Sequence, residues 1–200
     1  MKSLIAAGLV FALGACAGDR PPRAMHIAAE ETPEARLSEV TAALRALGPG
    51  VDPAEAARAA DIALRDPLHW AREWDVTDPP LIHNFKVVNG FRDKGVCQDW
   101  ADALEIALHA QRFRTLDLHR AIANGRTLSL EHATVVVTAS GQDWSQGLVL
   151  DPWRLGQGRL WWGRVDADPR YDWESRESYR AWRDAWQARS RQAPRPDAFR

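Results

Sequence analysis

Cysteine is scarce in this chain of 200 residues, with only Cys16 and Cys97 present, so no disulfide framework can hold it together. An excess of either charge is also missing. Lysine and arginine together number 26 against 27 acidic residues, and without a basic run there is no electrostatic case for a nucleic-acid partner. No apolar run reaches the ~20 residues that a membrane-crossing helix needs. His26, His69, His83, His109 and His119 show no metal-ligand spacing with cysteine, so neither a zinc site nor a cofactor is expected. Internal repeats and low-complexity blocks are absent. What is abundant is tryptophan, ten residues, most of them from Trp144 onward, a load that suits either a core or the wall of a groove.

The N-terminus has the layout of a signal peptide: one cation at Lys2, an apolar run from Leu4 to Leu13, then Gly14 and Ala15 before Cys16. Leu13-Gly14-Ala15-Cys16 resembles the bacterial lipobox, which implies cleavage before Cys16 and acylation of that cysteine. The expected organisation is a signal segment 1–15, a tether 16–31 containing Pro21 and Pro22, a single domain 32–192 and a flexible tail 193–200. A tether of that length reaches roughly 20–25 Å as a coil. Acylation leaves Cys97 as the one free thiol, in an oxidising compartment. In the enterobacterial sorting rule an Asp after the lipidated cysteine retains a protein in the inner membrane. Ala17 in that position points to the outer membrane, facing the periplasm, and to envelope proteins or peptides as partners.

Local signals outline an α+β domain. Thr32-Pro33-Glu34 caps a helix with Leu37, Val40, Leu44 and Leu47 on one face, ending at Gly48. Asp52-Pro53-Ala54-Glu55 reads as a capping box for a second helix that Asp66-Pro67 should end. Trp70 to Asn89 is irregular and reads as loop, with one extended stretch around Phe85–Val88. Cys97-Gln98-Asp99-Trp100 opens a buried-type helix continued by Ala101, Leu104 and Leu108. Two β-type runs, Thr115 to Ala123 and Arg126 to Thr138, flank Asn124-Gly125, a two-residue hairpin signal. A turn at Ser140–Asp143 leads into a third strand, Gly147–Asp151, to complete an antiparallel meander. Tyr179, Trp182 and Trp186 mark a last helix within Glu174–Arg191.

Three residues stand where nucleophilic chemistry needs them. A thiol at a helix N-terminus meets unpaired N–H groups and the positive end of the helix dipole, which favour thiolate. That position belongs to Cys97. His132 opens the most apolar strand as candidate base, and Asp151 ends the next strand as candidate acceptor for its second ring nitrogen.

Gly95-Val96-Cys97-Gln98-Asp99-Trp100-Ala101, His132-Ala133-Thr134-Val135-Val136-Val137 and Leu148-Val149-Leu150-Asp151-Pro152-Trp153 resemble, in order, the three motifs of the transglutaminase-like superfamily, including its bacterial cysteine proteinase branch. The resemblance spans roughly residues 90–155. It implies a papain-like α+β fold, with a nucleophile helix packed on an antiparallel sheet and flanking helices. It also implies a Cys97–His132–Asp151 triad that cleaves peptide or side-chain amides through a thioester. Trp100 departs from the Tyr or Phe more usual there. Family members use an upstream Trp indole as a second oxyanion donor, for which Trp74 or Trp70 are candidates. Gln98 and Asp99 flank the nucleophile and are expected to shape its mouth or cap the helix, and some proteinase relatives suggest a calcium role for Asp99. Trp100, Trp153 and Trp161 are the expected substrate-binding residues. The segment from Trp153 through Trp161-Trp162-Gly163 reads equally as a cleft wall or as a Trp-rich flap with Arg154 pairing a carboxylate. Two alternatives stand beside hydrolysis: a non-catalytic envelope-binding lipoprotein using its Trp-rich surface, and an amine-accepting transglutaminase.

Overall fold

The computed structural model describes residues 32–192; the expected signal segment, the tether with Cys16 and the tail 193–200 lie outside the described residues. The described chain is α+β. Four helices, α1 (Pro33–Arg45), α2 (Pro53–Glu73), α3 (Pro80–Val88) and α4 (Cys97–His109), precede strands β1 (Leu116–Ala123), β2 (His132–Ala139), β3 (Leu148–Asp151), β4 (Trp161–Arg164) and β5 (Trp173–Ser175), and α5 (Arg176–Gln192) follows. The strands form one antiparallel sheet in the order β4-β3-β2-β1-β5. Among the described residues no helix is long and apolar enough to cross a membrane.

Strand β2 is central and buried along its whole length. Alternation along the strand divides it between two cores. Val135 and Val137, with Leu148 and Leu150 of β3, pack on Val40 and Leu44 of α1 and on Leu104 and Leu108 of α4. On the opposite face Val136 and Val149 meet Val165 and the rings of Trp144, Trp161 and Trp173. Part of the tryptophan load is therefore the second layer over the sheet. Helix α5 closes one side through Tyr179, which packs on Ala101, Ile122 and Ala133.

The structure departs from the sequence expectations in four elements or connections and at one side chain. Helix α2 runs through Pro67 to Glu73. A proline inside a helix loses one hydrogen bond and crowds the preceding turn, but Pro67 and Ala71 are buried, and that packing outweighs the local penalty. The 155–159 loop also lies close against this turn. Gly158, at φ +76°, is so near that a Cβ there would sit 2.2 Å from the Pro67 carbonyl oxygen.

Helix α3 occupies residues expected to be loop or extended. Its buried residues are His83 and Asn84, while Leu81, Phe85 and Val88 face outward, so its pattern is inverted relative to an ordinary amphipathic helix. The third departure is the β1–β2 connection, which is no two-residue hairpin: β1 ends at Ala123, which pairs with His132, leaving 124–131 as the loop. Gly125 serves packing there, since a Cβ would lie 2.5 Å from the Tyr179 ring. Strands β4 and β5, the fourth departure, are too short to show a period.

Glu55 also acts differently from the capping box expected of it. Asp52 alone caps α2, accepting from Ala54 N at 2.7 Å and Glu55 N at 3.0 Å. The Glu55 carboxylate reaches to the start of β1, accepting from Arg114 N at 3.0 Å, Thr115 N at 2.9 Å and the Thr115 hydroxyl at 2.6 Å. Burial would raise its pKa, but these bonds outweigh burial and lower it. Replacing Glu55 with Ala strands three donors, so urea unfolding should show a loss of about 2–4 kcal/mol, and Glu55→Gln a smaller one. Unchanged stability in Glu55→Ala would show that water replaces the carboxylate without cost.

Candidate active site

The approach to α4 is held by side chains from the first turn of the helix that bond its backbone. Asp99 Oδ2 accepts from Gly95 N at 2.8 Å and Val96 N at 3.0 Å, and the Trp100 indole donates to Gly95 O at 2.9 Å. Gly95 adopts φ +120°, and a Cβ there would fall 2.4 Å from His83 Nε2, so no other residue fits. His83, fully buried, donates from Nε2 to Lys94 O at 2.9 Å. The inverted helix α3 thus braces the turn that presents Cys97.

One sequence expectation changes here. Trp100 is 1% exposed with its N–H already bonded, so it packs beneath the thiol and does not form a substrate surface. The Asp99 carboxylate is spent on the helix N-terminus, where it complements the positive end of the dipole. Among the described residues no group of three or more His, Cys, Asp or Glu is arranged to hold a metal ion. Trp70 stacks on Trp74, and Trp74 packs on Trp100 with ring centroids 4.7 Å apart, in the same apolar cluster as Cys97.

Cys97 is 6% exposed, and its Sγ lies 3.6 Å from the carbonyl oxygen of Glu131, the residue before His132. Burial is the main influence on the thiol. It raises the pKa; N–H groups of Ala133 and Gln98 lower it, Asp151 and Glu131 raise it, and the result is about 11. The dipole of α4 does not overcome burial in this state. At rest Cys97 is a protonated thiol that donates to Glu131 O.

Antiparallel pairing of β2 and β3 brings Asp151 to the His132 end of the sheet. His132 Nε2 lies 2.7 Å from Asp151 Oδ2, with both side chains buried. Burial would raise the Asp151 pKa, but the His132 bond and Arg154 outweigh it and hold the group ionised. An ionised carboxylate only accepts, so Nε2 donates to it. His132 Nδ1 is buried and has no hydrogen-bond partner.

Asp151 is itself held from the other side. Its Oδ1 accepts from Trp153 N at 3.0 Å and Arg154 N at 3.1 Å, and its Oδ2 from Arg154 Nε at 3.0 Å. The remaining guanidinium nitrogens of Arg154 bond Asp168 at 3.0 and 2.6 Å. Asp168 in turn accepts from the Trp173 indole at 2.9 Å and from Tyr171 N at 3.3 Å. The rings of Tyr171, Trp153 and Trp173 surround the His132 imidazole at centroid distances of 4.7, 4.8 and 5.5 Å. One chain of contacts therefore runs from His132 through Asp151, Arg154 and Asp168 back to the rings packed on His132.

Trp153 and Trp161 belong to this assembly. Trp153 is buried, with its indole on Asn84 Oδ1 at 3.1 Å, and Arg154 lies 3.6 Å over the half-buried Trp161 ring. The pairing of Arg154 with carboxylates fits the flap reading of this segment. Sequence reasoning missed Asp168, Tyr171, Trp173, Glu131 and His83. For Asp168 the one available signal was the turn-forming Asp168-Pro169. Comparison of the chain with protein-family models, with curated proteins and with solved structures gives no match.

Because alkylation requires thiolate, iodoacetamide should label Cys97 more slowly than a model thiol at pH 7.5. The rate should then climb about tenfold per pH unit toward the pKa of about 11. A rate already level between pH 6 and 8 would mean a standing ion pair and contradict the protonated resting state.

Proposed function

We propose that this domain is a membrane-tethered cysteine hydrolase of the transglutaminase-like type that cleaves peptide or side-chain amide bonds. The observation that carries the reading is the buried His132–Asp151 hydrogen bond, which leaves His132 Nδ1 unpartnered in the same region as the first turn of α4, where Cys97 lies against the peptide that precedes His132. A helix with cysteine at its start, packed on a meander that supplies the histidine and the carboxylate, accords with the papain-like arrangement that the motifs imply.

The resting thiol passes its proton to Nδ1 as Sγ attacks the amide carbon. The imidazolium is stabilised through Nε2–H by Asp151. Backbone N–H groups of the first turn of α4 receive the oxyanion. Nδ1 then protonates the departing amine as the C–N bond breaks, leaving a thioester on Cys97. Water, losing its proton to Nδ1, attacks the thioester, and Cys97 is released as thiol with the acid product. General-base transfer at the moment of attack suits a thiol that rests protonated.

Cys16 carries the lipid anchor, and the domain faces the periplasm from the outer membrane, where envelope proteins and peptides are its substrates and no cofactor takes part. On an unfolded, fluorophore-labelled protein substrate, Cys97→Ala should abolish turnover. His132→Ala and Asp151→Asn should lower kcat by about 10²–10⁴ with a much smaller change in KM. Full activity in Cys97→Ala would remove the proposal.

A further inference from the structure

Helix α3 has two faces with different fates. His83 and Asn84 are buried and bonded to the Lys94 carbonyl and the Trp153 indole. On the other side Leu81, Ile82, Phe85 and Val88 are 59%, 52%, 63% and 80% exposed, and Phe91 just beyond the helix is 65% exposed. Positions 81, 85 and 88 fall on one narrow stripe at helical spacing, with Ile82 beside it. An exposed apolar stripe of this kind marks a surface that is covered when the protein works. The stretch from Pro80 to Phe91 contains no acidic side chain to oppose an anionic phospholipid surface, and its one lysine, Lys86, is tied to Asp78 at 2.7 Å.

We propose that this stripe rests on the bilayer to which Cys16 anchors the domain. The inference depends on the lipid attachment put forward above. Residues 16–31 connect the anchor to the domain, and a flexible chain of that length would have a root-mean-square span of roughly 20–25 Å, so the domain would stay near the leaflet. Such confinement raises the effective concentration of membrane to about the millimolar range, where a weak apolar contact is populated. Phenylalanine, leucine and isoleucine on a short helix suit insertion about 5–10 Å into the headgroup boundary. A second copy of the chain fits less well. Five side chains fall short of the ~20–30 residues per partner in an ordinary protein interface. Docking through α3 holds the Lys94–Cys97 turn within about one helix diameter, ~10 Å, of the headgroups. The substrates of the proposed hydrolase are then juxtamembrane segments of envelope proteins.

The test uses the full acylated chain with a protease recognition sequence inserted after Ala24, reconstituted into vesicles of phosphatidylethanolamine and phosphatidylglycerol. After the tether is cut, the domain should still sediment with vesicles at millimolar lipid. Phe85→Ser/Val88→Ser should lower its partition by about tenfold, since each change removes apolar area from the contact. Both positions are exposed, and circular dichroism checks that the fold is kept. Complete release of the unsubstituted domain, or equal retention of both, overturns the docking. So does stripe-dependent dimerisation in solution without vesicle binding, which assigns the face to a second copy. Failure of the anchor reads differently: the uncut chain is then absent from the membrane fraction, and adding the cut domain to vesicles with the same pair of variants still decides the docking.

Discussion

Four donors converge on the buried carboxylate of Asp151: the His132 ring, the Arg154 guanidinium and the backbone N–H groups of Trp153 and Arg154. An isolated carboxylate at this depth would neutralise itself rather than bear the desolvation. It stays charged because Arg154 stands beside it, and Arg154 is tolerable in turn because Asp168 takes its other two nitrogens. Asp168 also fixes Tyr171 and Trp173, whose rings cover His132. Removing any one charged member leaves another buried and unpaired, so the orientation of the imidazole is a property of the whole assembly. The resulting geometry has one direction of freedom left: Nε2 is committed to Asp151, and only Nδ1 can exchange a proton.

The thiol is held under opposing influences. Position at the start of α4 and the N–H groups of Gln98 and Ala133 favour thiolate, while burial and the charges of Asp151 and Glu131 oppose it, and burial dominates. The carboxylate that orients His132 therefore also discourages a standing thiolate nearby. A site built this way keeps its cysteine protonated at neutral pH, and a buried protonated thiol resists oxidation, because thiolate is the form that oxidises.

How much of this was legible depends on whether the signal was local. Gly95 before Cys97, the apolar run after His132 and the Asp151-Pro152 strand end each mark an element boundary by residue type, and antiparallel pairing of β2 with β3 follows from the intervening turn. The α+β class and the β1-β2-β3 meander were readable for the same reason. Helix α3 was not, although Leu81, Phe85 and Val88 keep helical spacing: Asp78-Pro79-Pro80 reads as a break, and the nine residues after it are too few for the period to stand out. Asn124-Gly125 carried a strong turn signal, yet Gly125 is there to lie under Tyr179, a contact with α5 that no short window contains. Glu55 matched a capping box while its carboxylate bonded Thr115. The Arg154–Asp168 pair and the rings of Tyr171 and Trp173 have no period at all. Their association exists only once β4 and β5 flank the sheet, and it takes Trp153 from an expected substrate contact into packing, as the Trp74 cluster and the Gly95 carbonyl take Trp100.

The central claim is that Asp151 fixes His132 in the tautomer whose bare nitrogen, Nδ1, serves the cysteine. Two-bond ¹H–¹⁵N correlation spectra of the imidazole at pH 8 test it directly. The account predicts a proton on Nε2 with a downfield hydrogen-bonded resonance, and an unprotonated Nδ1. A neutral ring carrying its proton on Nδ1 would contradict it, since that nitrogen could then accept nothing from Cys97.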